Sequence, residues 1–414
     1  MPEPGGFGRY RSVHAIILER PYQFTPPRKS RFWPLITGLW LPHYLRRVHG
    51  IHEIHCQGTD LLKQSLAQGH GVLLAPNHCR PCDPMVLGIL SRTVGCPFFT
   101  MASAHLFTQG RLMAWLLPRV GAFSVYREGM DRESLKTAID ILKQGKRPLV
   151  LFPEGVISRT NDRLNHLQEG TAFIARSAAK QLASEGANRK IVMHPVAIRY
   201  HIQGELPATV MQVLDRIESR LSWTPKRELP VAERIIQVGG ALLGLKEIEH
   251  LGQIRTGELK DRLAFLIDQL LVPLEQEWVN GQREANVVAR VKRLRSAIVP
   301  DMAAGSISEG ERARRWRQLA QLYLAQQLSL YPPDYLGDPP IPERILETVE
   351  RFEEDLTDHA TVHGPLCAII RVGEAIEVFP GRDKSAVTDP LMQTLREHLE
   401  QDLADLRRSE GARS

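Results

Sequence analysis

The strongest constraint in this 414-residue chain is a change of period that later reverses itself. Up to about residue 200, short apolar runs alternate with helical stretches. For roughly the next 150 residues the pattern is almost wholly helical. A strand pattern then returns at Leu366–Val372 (LCAIIRV), and a helix opened by Asp389-Pro390 closes the chain. Alternating strand and helix signals build a layered α/β domain, and strands that resume after a long helical stretch imply one sheet interrupted by an insertion. The expected fold is α/β, a mixed central sheet flanked by helices, with a large helical insertion. The boundaries that follow are an N-terminal arm over residues 1–50, the first part of the α/β domain over 51–205, the insertion over 206–363, and the closing strand and helix over 364–414.

Strands are expected at Ile51–Cys56, Val72–Ala75, Pro97–Met101, Gly121–Tyr126, Pro148–Phe152 and Ile191–Tyr200. Helices are expected at Thr59–Gln68, Asp83–Leu90, Arg132–Lys143 and Glu169–Glu185. Asp83-Pro84 reads as a cap followed by proline in the first turn, where the missing N–H costs nothing. Pro195 inside the last strand suggests an edge or a bulge. Within the insertion the pattern predicts helices over Val210–Leu221, Val231–Leu251, Glu258–Leu271, Leu274–Val299, Glu309–Leu330 and Pro342–Asp358, with no repeat of fixed period. Five prolines in Tyr331–Pro342 mark a rigid connector.

Charge is concentrated at one end. The first 50 residues hold eight Lys/Arg against two acids, a balance equal to the +6 of the whole chain, and eight of the 26 aromatic residues. Basic side chains attract anionic headgroups, and Trp and Tyr settle where water meets hydrocarbon. Phe32–Tyr44 (FWPLITGLWLPHY), too short to span a bilayer and broken by Pro34 and Pro42, suits an interfacial position; a basic arm packed on its own domain is the competing reading. The neutral remainder carries no recognised nucleic-acid motif, so no nucleic-acid partner is expected. Five cysteines make no disulfide framework, and neither a signal peptide nor an 18-residue apolar run is legible. The expected location is cytoplasmic, peripheral on the inner face of the cell membrane.

The spacing H-x4-D occurs at His78/Asp83 and at His55/Asp60. His55 lies in an alternating polar strand. His78 follows an apolar strand and its aspartate opens a helix, which puts the imidazole at the carboxyl edge of a sheet, where open α/β sheets bind ligands. A neutral imidazole takes a proton from a hydroxyl near neutral pH, and a carboxylate on its other nitrogen fixes the tautomer and supports the imidazolium. Phe152-Pro153-Glu154-Gly155, Gly121–Arg127 and His194-Pro195-Val196 stand at or on other strands.

In this order, Asn77-His78…Asp83, Gly121…Arg127, Phe152–Gly155 and His194-Pro195-Val196 resemble the four sequence blocks of the phospholipid/glycerol acyltransferase family, which includes the 1-acylglycerol-3-phosphate acyltransferases. Val372–Ile376 is similar to the strand that ends many members' domains. The resemblance covers about residues 45–205 and 364–408. It implies a glycerol-3-phosphate acyltransferase-like sheet and transfer of a fatty acyl group from acyl-CoA or acyl carrier protein to a hydroxyl of a lysophospholipid or glycerol-phosphate acceptor at a membrane surface. His78 would be the general base and Asp83 its orienter. Arg127 would hold an anion of the acceptor, and Glu154 and Gly155 would line the acceptor site. No metal and no bound cofactor is implied. The third block departs from the family: Val156-Ile157 replace Thr-Arg. Either Arg159 substitutes as the anion-binding residue, or the acceptor is not lysophosphatidic acid. The insertion is read as a lid or acyl-chain shelf, a partner surface, or lineage-specific decoration.

Other readings compete. Cys79-Arg-Pro-Cys82 after a strand has the local form of a thiol-disulfide oxidoreductase. A non-catalytic membrane-binding scaffold would also retain the fold. Lys143, Lys146 and Arg147 either meet CoA phosphates or form a solvated helix end.

Overall fold

The computed structural model describes residues 17–206, 208–332, 334–337, 339–357, 361–382, 385–386 and 388–411. Two compact units emerge: a sheet unit, Tyr22–Gln203 with Pro365 onward, and a helical unit, Gly204–Gly364 with the described residues up to Pro21. The N-terminal arm is therefore divided. Ile17 is buried in the helical core, and Glu19 accepts from Arg312 and Trp316 there. Residues 22–50 belong to the sheet unit. Arg9 and Arg11 of the basic arm, and Asp358 at the end of the last expected helix of the insertion, lie outside the described residues.

In chain order the elements are α1 (Phe32–His49), β1 (Ile51–Gln57), α2 (Thr59–Ala67), β2 (Gly71–Pro76), α3 (Asp83–Val94), β3 (Phe99–Ser103), α4 (Arg111–Arg119), β4 (Ala122–Val125), α5 (Arg132–Gln144), β5 (Leu149–Val150), α6 (Gly170–Ser184) and β6 (Ile191–Ile202). The insertion contributes α7 (Ala208–Arg220), α8 (Val231–Leu251), α9 (Leu259–Val279), α10 (Val287–Ala304), α11 (Glu309–Ser329) and α12 (Pro342–Thr357). β7 (Leu366–Val372), β8 (Ile376–Glu377) and α13 (Pro390–Gly411) complete the sheet unit.

The sheet is mixed, in the order β1-β7-β6-β2-β5-β3-β4, with β8 also on β6. β6, β2, β5, β3 and β4 run parallel, and β7 returns antiparallel to β6. The carboxyl ends of β2, β4 and β5 thus share one edge. β2 is buried on both faces, which explains its unbroken apolar run.

Prolines account for three differences from the sequence reading. α1 is continuous through Pro34 and Pro42. Pro34 falls in the first turn, where no N–H is required. Pro42 strips Gly38 of its helical donor, and Arg92 Nη1 donates to that carbonyl instead at 3.2 Å. In α9, Pro273 is internal, between buried Leu271 and Leu274. The break expected there falls at Asn280, with φ of 53°, and the next helix is capped by Asn286, which accepts from the Ala289 N–H. Pro195 sits on a central strand and not an edge. It occupies the gap where the antiparallel partner changes from β7 to β8, and the Gly373 N–H donates to its carbonyl at 2.9 Å.

Within the helical unit, successive helices are pinned by arginine–carboxylate pairs, and in three of the four the carboxylate is buried. Glu218 of α7 accepts from Arg234 of α8 at 2.9 and 2.7 Å. Glu247 of α8 accepts from Arg262 of α9 at 3.1 and 2.7 Å. Glu275 of α9 accepts from Arg290 of α10 at 2.6 and 3.0 Å. Asp301 of α10 accepts from Arg315 of α11 at 3.0 Å. Arg234, Arg262 and Arg290 stand 28 residues apart, but Arg315 comes 25 residues later, so the clamps follow the helix junctions and not a fixed period.

Candidate active site

β2 delivers the chain to Asn77, whose side chain accepts from the Ile198 N–H (2.7 Å) and donates to the Ile198 carbonyl (2.9 Å). The amide extends the sheet by one false rung and fixes where His78 emerges. The His78 side chain is 15% exposed, enough for one ring nitrogen to meet a ligand. Its Nδ1 donates to Asp83 Oδ2 at 2.8 Å, which leaves Nε2 as the proton acceptor. The Phe152 ring stacks on the imidazole at 4.1 Å between centroids.

Asp83 is the first residue of α3, and Cys82 is the cap. Freed from capping, the carboxylate is fully buried and turned to the site. The Arg80 N–H donates to Oδ2 (2.9 Å) and the Tyr200 hydroxyl to Oδ1 (2.6 Å).

The FPEG segment closes the other side. Glu154 is 1% exposed, one oxygen accepting from the His78 N–H (2.7 Å) and the other from the Asn165 N–H (3.0 Å). Both oxygens accept from backbone, and the carboxyl clamps the His78 turn to the loop ahead of α6. Burial pushes it up to about 7 from 4.5, against the lowering effect of those two N–H groups. Gly155 adopts φ of +71°, and a Cβ there would press on Gln168 at 3.3 Å, so the position requires glycine. The same Cβ would stand 3.8 Å from Arg127 Nη2, which places the arginine that follows β4 beside this loop.

Farther along, the Ser158 N–H donates to the His78 carbonyl at 2.7 Å. Arg159 follows in a left-handed conformation, φ +61°, rare for a residue with a side chain and costing about 1–2 kcal/mol. The structure thus brings His78, Asp83, Glu154, Gly155 and Arg127 together and carries the Arg159 backbone to the same turn.

His194 of the fourth block stays out of the chemistry. It is fully buried, donates from Nδ1 to the Gly373 carbonyl (2.8 Å) and meets Ser65 Oγ through Nε2 (2.9 Å). Burial lowers its pKa and keeps it neutral. Arg147 is likewise structural: buried, it donates to the Pro97 and Phe98 carbonyls at 2.9 Å and lies over the Phe99 ring. Lys143 pairs with Glu185.

Cys79 and Cys82 are buried free thiols, and burial, aided by the Asp83 charge, pushes Cys82 up to about 12. A thiol that cannot ionise is a poor redox nucleophile, so the C-x-x-C reading lacks its chemistry. Among the described residues, one group of possible metal ligands converges, Glu53, His55 and Cys367 on β1 and β7, and it shares no residue with the site.

The sequence reading missed Tyr200. It lies 117 residues from Asp83 on an apolar strand and reads as core. It also passed over Asn77 and Ser158 as anchors, although both flank quoted motif residues.

Residues 53–199 match the family described as Acyltransferase. Over 124 residues the chain is 31% identical to a 1-acyl-sn-glycerol-3-phosphate acyltransferase of Streptococcus pneumoniae, a match that spans 30% of this chain and 43% of that protein. The match to the Acyltransferase family thus covers the segment that holds the imidazole–carboxylate pair, His78 and Asp83, together with Glu154, Gly155 and Arg127.

Proposed function

We propose that the protein transfers a fatty acyl group from a thioester, acyl-CoA or acyl carrier protein, to the free hydroxyl of a lysophosphatidic-acid-type acceptor. The observation that carries this reading is the 2.8 Å bond from His78 Nδ1 to a fully buried Asp83, with the imidazole partly exposed at the sheet's carboxyl edge. His78 Nε2 removes the proton of the acceptor hydroxyl as its oxygen attacks the thioester carbonyl. Asp83 stabilises the imidazolium that forms. The tetrahedral adduct collapses by breaking the C–S bond, and the leaving thiolate takes the proton from Nε2. No enzyme nucleophile, metal or bound cofactor takes part. Arg127, and Arg159 at the neighbouring turn, serve the acceptor's phosphate. The acceptor class follows the name of the pneumococcal relative.

The setting is a membrane surface on the cytoplasmic side. Phe32, Leu35, Leu39 and Trp40 are exposed along α1, and Leu112 and Trp115 on α4. Trp33 meets Trp115 edge to face at 4.7 Å and joins the two helices into one apolar surface. Arg28, Lys29, Arg31, Arg46 and Arg47, all exposed, flank it with the charge that anionic headgroups attract. No helix among the described residues is long and apolar enough to cross a membrane. At the other end of α1, burial and the Arg80 guanidinium hold His49 near 4, with Asp83 close enough to oppose them. One helix therefore links the apolar surface to the site.

The test is incubation of the full chain with labelled acyl-CoA or acyl carrier protein, anionic phosphatidylglycerol vesicles and a panel of lysophospholipids and glycerol phosphate, read by lipid chromatography. Acylation of lysophosphatidic acid is expected. No acylated product from any acceptor with either donor overturns the reading.

A further inference from the structure

Asp83 is buried, and among the described residues no Lys or Arg side chain pairs with it. His78 Nδ1 and the Arg80 N–H serve Oδ2; Oδ1 receives the Tyr200 hydroxyl at 2.6 Å and, weakly, the Cys79 thiol at 3.9 Å. The phenol is thus the strong donor on that oxygen. Tyr200 is itself held rigidly. Asn161 Oδ1 accepts from its N–H (2.7 Å), Asn161 Nδ2 donates to its carbonyl, and β6 pairs it with Ala368 of β7. The Arg80 guanidinium lies over its ring at 5.4 Å. Burial and the Asp83 charge raise its hydroxyl well above the usual range, so it remains protonated and able to donate.

We propose that Tyr200 is a positioning residue for the transfer: its hydroxyl fixes the plane of the Asp83 carboxylate so that Oδ2 faces His78 Nδ1, making a His78–Asp83–Tyr200 relay out of the pair. This rests on the general-base reading above. A carboxylate held on one oxygen alone can swing about its Cβ–Cγ bond, and the imidazole it orients swings with it. Charge-assisted bonds of this kind also draw negative charge toward the phenol, which sets how strongly Asp83 holds the imidazole proton.

The test uses the full chain. Tyr200→Phe is expected to lower kcat about tenfold per folded molecule, with KM for donor and acceptor within about twofold. In a His78→Ala background the same substitution is expected to leave the residual rate unchanged, because Tyr200 acts only through the imidazole. A readout free of turnover is the far-downfield proton resonance of His78 Nδ1–H, identified by its loss in His78→Ala. Tyr200→Phe should move or abolish it, and 2,3-difluorotyrosine at position 200, a stronger donor of the same shape, should move it upfield. The fluorinated protein serves if the phenylalanine variant does not fold. A resonance unmoved in both, or an equal loss of rate with and without His78, overturns the proposal. If the wild-type chain transfers no acyl group while the resonance responds, the function fails and this relay stands.

Discussion

The candidate site and the clamps between the helices of the insertion hold their acids in opposite ways. In the helical unit, Glu218, Glu247, Glu275 and Asp301 each meet a guanidinium from the next helix, and the pair is silent once made. In the sheet unit, Asp83 and Glu154 are met by a ring N–H, a phenol and backbone N–H groups, and among the described residues neither pairs with Lys or Arg. Dipoles stabilise a carboxylate without cancelling it. Asp83 therefore keeps a charge available for the moment its histidine becomes a cation. The arginine-paired acids of the insertion hold its helices together; dipole-held Asp83 remains able to do chemistry.

The comparison breaks most visibly at His78. His78→Ala should slow acyl transfer by about 10²–10⁴, the worth of a positioned base. A near-normal rate in the assay above would make the sheet unit's acids as structural as those of the insertion. Next comes the clamp. Arg234, fully buried, leaves Glu218 uncompensated when removed, so Arg234→Ala should destabilise the helical unit by about 3–5 kcal/mol. Replacing both partners, Arg234→Met with Glu218→Leu, should cost far less. Thermal unfolding followed by circular dichroism measures both, and equal losses would mean the clamp stores no unpaired charge. The smallest effect is at Glu154. Because its folded value lies near 7 against 4.5, its contribution is fully present below pH 4.5 and disappears as pH rises through 7, a swing on the order of 3 kcal/mol. Glu154→Gln removes that swing, so its melting temperature relative to wild type should rise between pH 4.5 and 7. Parallel melting curves across that window would show that Glu154 is ionised throughout.

Much of this was legible in sequence because the period of apolar residues changes where the fold does. The α/β layers, the insertion and the closing strand and helix all follow from it. Proline was the least reliable guide. Pro42 and Pro273 lie inside helices because tertiary partners, Arg92 for one and the buried leucines around the other, outweigh the local defect. Within the site, His78 and Asp83 were readable because a fixed short spacing carries them. Tyr200 was not, since its role depends on β6 extending past the end of β2 and bringing residue 200 beside residue 83. Glu154 was noticed for its motif, but its bonds to two backbone N–H groups were not, because they come from residues 76 positions before it and 11 after it. The helical clamp escaped for a similar reason: an arginine near a helix junction reads as an ordinary surface charge until its partner is seen.

β6 and β7 are adjacent antiparallel strands, and the Gln203 N–H donates to the Pro365 carbonyl at 2.9 Å. Topologically they form a hairpin whose tip happens to be a whole folded body. Its two ends leave and re-enter the sheet at a single rung, so the ladder that carries Tyr200 is zipped shut right up to the junction. A graft at that rung meets the same boundary condition whatever its size, because the two strands that receive it are already paired.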